Sequence, residues 1–315
     1  RFAASQGIGC VHEVNAPHIA PFDDLALIAE LTSSEPLPTV VGYWGELFGG
    51  DADAEAVSGY AGDLNVDGSI GSHTAYLRDA YADAPTRGYG YLNAEQIGKH
   101  VAYCTERTLQ AGFHVIGDAA LDAVVDGLRR ASAEVGREEL IRCRHRLEHV
   151  EMPSAEVTDT IAELGVVASV QPAFDAAWGA AGQLYEQRLG TRAQRMNPFA
   201  SFHDAGVVLA FGSDSPVTPM NPWAGVRAAV FHSNRDERLD VRTAFDAATV
   251  GGHRAGRRDD AGVLTPGSPA TYAVWEAPTP LDRGLPNLTS DGPLPSCVST
   301  VVDGAPIFST SEGQR

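Results

Sequence analysis

Lysine is almost missing from this chain. Of its 23 basic residues Lys99 alone is a lysine, and the net charge is −18. A surface so short of positive charge argues against nucleic acid and against anionic membranes as partners. Cysteine is also scarce. The four residues Cys10, Cys104, Cys143 and Cys297 stand singly, with no CxxC pair. That pattern disfavours a zinc ribbon or a disulfide framework and fits a reducing, cytoplasmic setting. No apolar run approaches the roughly 20 residues of a membrane helix. No GxSxG elbow or GxGxxG fingerprint is present, so serine hydrolases and dinucleotide enzymes are not favoured. A signal peptide is lacking too. The chain opens on Arg1 rather than Met, which leads to the expectation that upstream residues are missing.

What is present is a rhythm of short apolar runs and helical patterns. Strands are expected to start near Cys10, Thr39, Asp63, Phe113, Arg144, Val166 and Val207. Between them the apolar spacing predicts helices over 23–31, 94–110, 121–133, 156–164 and 223–231. This βαβα order implies a parallel sheet. With 315 residues, the chain fits an α/β fold of the (β/α)₈ TIM-type barrel class. Seven strands are visible where a closed barrel has eight, and the chain begins inside a helix, so the first strand is the one expected to be absent. The barrel reads as 1–255, strands two to eight. Residues 256–315 change character, with turns and short strands that suggest a small β-sandwich portion.

In parallel sheets chemistry gathers at the carboxyl ends of the strands. Three expected strands end in residues fit to bind a metal: His114 in FHVIGD, His149 in RLEHVE and Asp214 in FGSDSP. Neutral imidazole and carboxylate suit zinc or a similar divalent ion. One βα unit separates His114 from His149 and two separate His149 from Asp214, which would set all three on one rim. Alone, Asp214 reads more readily as a loop residue or a helix cap. Trp44, Asp67, His73 and Gln171 fall on the same expected rim and are candidates for substrate contact. Each also reads as a turn-former or as a hydrogen-bond partner of other site residues. Residues 145–149 match HxxEH, an inverted zinc-peptidase motif that works on a helix. On a strand its two histidines would stand roughly 13 Å apart, too far for one ion.

Five ordered segments carry a resemblance: DGSIGSHTA, FHVIGDAALD, RLEHVE, SVQPAF and FGSDSPVTPMNPW. Together they resemble the amidohydrolase superfamily, in the family 3 branch that includes N-substituted formamide deformylase. DAATVGGHRAG and GVLTPGSPATYAVWE resemble that family's last helix and its return to a β-sandwich. The resemblance implies a metal-dependent hydrolase. His114, His149 and Asp214 would be the metal ligands, and Asp214 would also accept a proton from the metal's water. Two departures stand out. None of the ten histidines forms the HxH of the family's first strand, which would lie before Arg1. Where many members carry a metal-bridging lysine, this chain has Asp63. A single ion, zinc by its donors, is therefore expected rather than a bridged pair.

The leading expectation is a metal-dependent hydrolase that cleaves a C–N bond in an amide, formamide or cyclic amide. The alternative from another class is a truncated or catalytically incompetent barrel that serves as a binding or structural protein. The HxxEH peptidase is a third. Expected partners are a small-molecule substrate and, as an open option, a second copy of the chain in a homodimer. The loop 69–91 and the segment 173–196, rich in aromatics, are expected to cover the pocket.

Overall fold

The structure is a computed structural model and describes residues 1–50 and 52–310. Seven parallel strands follow one another in chain order across a single curled sheet. They are β1 (Cys10–Asn15), β2 (Thr39–Trp44), β3 (Gly59–Tyr60), β4 (Gln110–Val115), β5 (Arg146–His149), β6 (Val167–Val170) and β7 (Leu209–Phe211). Helices occupy the connections, as the βαβα rhythm requires. The expected α/β TIM-type fold is thus observed, built from seven strands. No ladder joins β7 to β1 among the described residues. The last barrel helices, from Ala247 to their cap Gly256, lie against those two strands instead. A Cβ on Gly251 would stand 2.0 Å from the Leu209 carbonyl oxygen, and one on Gly256 would stand 3.0 Å from His12 Nε2.

Burial explains why these runs are strands. Residues pointing outward, such as Phe113, Val115, Leu147 and Val170, pack with Leu121, Val124, Val157 and Phe202 into the main core between sheet and helices. Side chains pointing inward are Tyr43, Val41, Ala61, Val167 and Ala210, with an ion pair among them. Arg146 binds Glu148 at 2.6 and 3.0 Å, His12 Nδ1 at 2.9 Å and Ser169 Oγ at 3.0 Å. Its guanidinium also lies over the Tyr43 ring at 4.6 Å. A pair this buried is tolerable only because every donor finds a partner.

Several boundaries differ from the sequence reading for visible reasons. The third strand pairs at Gly59–Tyr60, not from Asp63, where Asn65 makes one isolated bridge to His114. Gly62 turns the chain at φ 92° between the two. The helix expected over 94–110 runs Ala94–Glu106. Thr108, at φ 60°, ends it and leaves Gln110 to start β4. Its start is well specified, because Asn93 accepts from the N–H of Glu95 and Gln96 while Gln96 reaches back to Asn93 N. Residues Arg137–Cys143 form a further helix. Arg144 then takes φ 50°, and β5 begins at Arg146. The HxxEH segment is therefore a strand, and its peptidase reading falls. His145 is buried and bonded to Thr105 Oγ1 and to Ala111 N, both at 2.9 Å.

Beyond the barrel helices, β8 (Tyr272–Glu276), β11 (Ser296–Val302) and β12 (Ala305–Ser309) form an antiparallel sheet, and β9 (Leu281–Asp282) pairs β10 (Leu285–Pro286). The last hairpin turns on Asp303-Gly304, both at positive φ, as a two-residue hairpin loop demands. The opening helix Phe2–Ser5 docks here, with Thr300 Oγ1 donating to the Ala4 carbonyl at 2.7 Å.

Candidate active site

Register decides which strand ends meet. Val115 lies opposite His149, Glu148 opposite Ser169, and Val170 opposite Phe211. The carboxyl ends of β4 to β7 therefore share one rim. His114 and His149 stand edge to face there, with ring centroids 4.5 Å apart. Neighbouring partners fix their tautomers. His114 Nε2 donates to the Gly68 carbonyl at 3.2 Å, and His149 Nδ1 donates to Gln171 Oε1 at 2.9 Å. His114 Nδ1 and His149 Nε2 are left with lone pairs, the form in which imidazole binds a metal. Burial keeps both rings neutral and pushes the His114 pKa down to about 3, with His149 adding to the effect. Phe174 stacks on His149 at 5.9 Å.

Carboxyl groups surround the two rings. Burial raises the Asp214 pKa to about 7, and the charges of Asp63 and Glu148 push it the same way. Asp63 is itself raised by burial, while His114 and His18 counter it. Asp214 and Asp63 with two neutral imidazoles are the donor types of a divalent cation site, whereas Glu148 already gives both oxygens to Arg146. Even so, no three His, Cys, Asp or Glu side chains converge on one point among the described residues. The donors fit an ion in kind and in free lone pairs, and two of them stand side by side. The backbone there is strained. His149, Val150 and Asp214 take φ of 72°, 47° and 51°, which is uncommon for any non-glycine residue and most so for β-branched valine.

The remaining expected site residues divide. Gln171 joins the cluster through His149. Asp67 is wholly buried, and its carboxylate accepts from the backbone N–H of Ile116 (2.9 Å), Gly117 (2.8 Å) and Tyr76 (2.8 Å). Those donors favour the charged form, while burial pushes the pKa up to about 7. Asp67 thus holds the loop after β4 and has no free oxygen edge for a substrate. His73 sits in the 69–91 loop, with Nε2 bonded to Asp83 at 2.9 Å and its ring against Tyr81. Trp44 is turned away. Strand alternation points Tyr43 inward and Trp44 into the outer core, where it packs edge-on to Phe22 and donates to Glu46 at 3.0 Å. Glu148 and Asp63 were not singled out as site residues from the sequence. The signal for Glu148 was present in Arg146-Leu147-Glu148, two charges two apart on a strand and so on one face.

Two segments lie over this rim. Asp83 pairs with Arg188 as well as His73. Arg192 donates to the Asp79 and Ala80 carbonyls at 3.1 and 2.6 Å, and Ala82 N donates to the Arg188 carbonyl at 2.7 Å. Ile70, Leu77, Tyr81, Phe174, Tyr185 and Met196 form a separate apolar cluster with Ile116 and Met152 beneath these loops.

A curled parallel sheet with histidines and carboxyls at its carboxyl rim is the architecture of the metal-dependent hydrolase barrels. The chain belongs to the amidohydrolase family, whose sequence profile matches residues 1–308. Among curated relatives it is 29% identical over 221 residues to "Protein LONG AFTER FAR-RED 3" of Arabidopsis thaliana, covering 66% of this chain and 37% of that protein. It is 27% identical over 178 residues to "Putative amidohydrolase YtcJ" of Bacillus subtilis, covering 55% of this chain and 31% of that one. The fold also matches an uncharacterized metal-dependent hydrolase from Pyrococcus furiosus, with a TM-score of 0.66 and 26% identity over 83% of this chain and 54% of the other. The chain therefore spans about a third of those curated relatives and about half of that hydrolase. No helix among the described residues is long and apolar enough to cross a membrane.

Proposed function

We propose that the protein is a metal-dependent hydrolase that cleaves the C–N bond of an amide, formamide or cyclic amide. The observation that carries this reading is the facing pair His114 and His149, each neutral and each with one lone pair uncommitted. Membership of the amidohydrolase family and likeness to a metal-dependent hydrolase support it. His114 and His149 would hold a single divalent ion, zinc by its preference for such donors, with Asp214 beside them. When bound, such an ion makes hydroxide available at neutral pH by lowering its water's pKa toward about 7. Asp214 would supply the base. As a carboxylate beside that ion it would accept the water's proton. Gln171 fixes the His149 ring, and Phe174 over that ring keeps bulk water off it.

The test is metal analysis of the full-length protein together with a panel of N-acyl, N-formyl and cyclic amides. About one equivalent of zinc and hydrolysis of at least one class are expected, since a catalytic site holds one ion with an open position. Both should vanish in His114→Ala and His149→Ala. Undiminished hydrolysis after exhaustive chelation would sink the reading.

A further inference from the structure

His114 is held by a single stretch of chain, residues 64–68. Val66 N donates to the His114 carbonyl at 2.9 Å, and His114 N donates to the Leu64 carbonyl at 3.1 Å. Further along the same stretch, the Gly68 carbonyl receives the Nε2–H of the His114 ring at 3.2 Å. A carbonyl can only accept. This bond therefore selects the tautomer protonated at Nε2 and leaves Nδ1 bare. His149 is set the opposite way by a different element, since Gln171 receives its Nδ1–H.

The residue before Gly68 aims that carbonyl. Asp67 is wholly buried, and its Oδ1 accepts from Ile116 N at 2.9 Å. Its Oδ2 accepts from Gly117 N and from Tyr76 N, both at 2.8 Å. Ile116 and Gly117 are the turn that follows His114 and the end of β4. The carboxylate thus clamps this turn to the stretch that carries the Gly68 carbonyl. The clamp has no slack, because a Cβ on Gly117 would stand 2.1 Å from the Tyr76 carbonyl oxygen. Thr74 grips the other side. Its carbonyl accepts from Gly68 N at 3.1 Å and its hydroxyl from Ser69 N at 3.0 Å. Held at both ends, Gly68 has little freedom to turn its carbonyl away from the ring.

We propose that Asp67 is a positioning residue for His114. By clamping residues 67–68 to the turn beyond β4, it keeps the Gly68 carbonyl on Nε2 and so determines which His114 nitrogen is free for an ion. The consequence for a metal rests on the hydrolase reading, whereas the tautomer does not. Proton–nitrogen correlation spectra of the full-length protein with isotope-labelled histidines, freed of metal at neutral pH, report the tautomer of each ring. His114→Ala and His149→Ala assign the two signals. In the wild type His114 should be almost wholly the Nε2–H form and His149 the Nδ1–H form. In Asp67→Asn the amide nitrogen cannot accept, so at least one of the clamp's bonds is lost. His114 should then become a mixture of both forms, while His149, held by Gln171, keeps its own. Zinc affinity from chelator competition should fall about 10–100-fold. Circular dichroism reports folding. If Asp67→Asn does not fold, Thr74→Ala, which frees Ser69 N, carries the test with the same expected spectrum. A wild-type His114 protonated at Nδ1 overturns the assignment. So does a His114 tautomer unchanged in the folded variant, or equal scrambling of both rings. The expected spectra with no zinc bound by the wild type would instead overturn the hydrolase reading alone.

Discussion

Asp214 and Gln171 show how differently two residues on one rim can act. Asp214 stands beyond β7 at φ 51°, and among the described residues the next helix is capped by Asn221 instead. Asp214→Asn removes the group that can take a proton while keeping its shape. Turnover should fall by at least about 10²-fold, the usual worth of a positioned acid or base. The unfolding midpoint should hardly move. A variant that turns over normally would remove Asp214 from the chemistry. Gln171 acts through His149, whose Nδ1–H it receives. Gln171→Leu should weaken metal affinity about 10–100-fold, as partners of metal-ligating histidines commonly do. Competition with a chelator of known affinity measures this, and Gln171→Glu, which keeps the acceptor, should restore most of it. His114, His149 and Asp214 stood out as candidates in the sequence because strand-end histidines and carboxylates contrast with apolar runs. The direction of Trp44 was not legible because a strand's last residue can point to either face, and the fold places it in the outer core.

At the scale of elements, β5 matters most. Its inward residues Arg146 and Glu148 form the ion pair of the barrel interior, and its end carries His149. Removing one partner leaves the other charge buried and alone. Arg146→Met should therefore cost about 3–5 kcal/mol in denaturant unfolding, whereas Arg146→Met with Glu148→Leu should recover much of that loss. Equal stability of the single and double variants would show that the pair is not the origin of the cost. The same element settled the HxxEH ambiguity. The helix Arg137–Cys143 ends at Arg144 on one left-handed residue that local pattern does not announce. The third strand escaped for a similar reason. Gly59–Tyr60 is too short for any periodicity to register, and tertiary pairing with β2 and β4 alone makes it a strand.

Across the whole molecule, a metal at the rim would tie β4, β5 and the loop after β7 together. Binding to the folded state alone adds stability by mass action, about 4 kcal/mol at a thousandfold excess over Kd. Chelation should accordingly lower the thermal midpoint of the wild type and leave that of His114→Ala unchanged. A wild-type midpoint indifferent to chelator would argue that the ion does not bridge these elements.

The alternation of apolar runs with amphipathic stretches, read along the chain alone, determined the α/β class, six of the seven strands and the candidates His114, His149 and Asp214. These are properties of local periodicity and of chemical type, and neither depends on what a residue touches. The tertiary structure decided what was free to act. Asp67 proved to be consumed by three backbone N–H groups, His73 by Asp83, and Trp44 by the outer core. It also brought Asp63, Glu148 and Asp214 from distant stretches close to one another. Whether a polar side chain is satisfied or left open depends on neighbours supplied by other strands, and that follows from the register of the folded sheet rather than from local order.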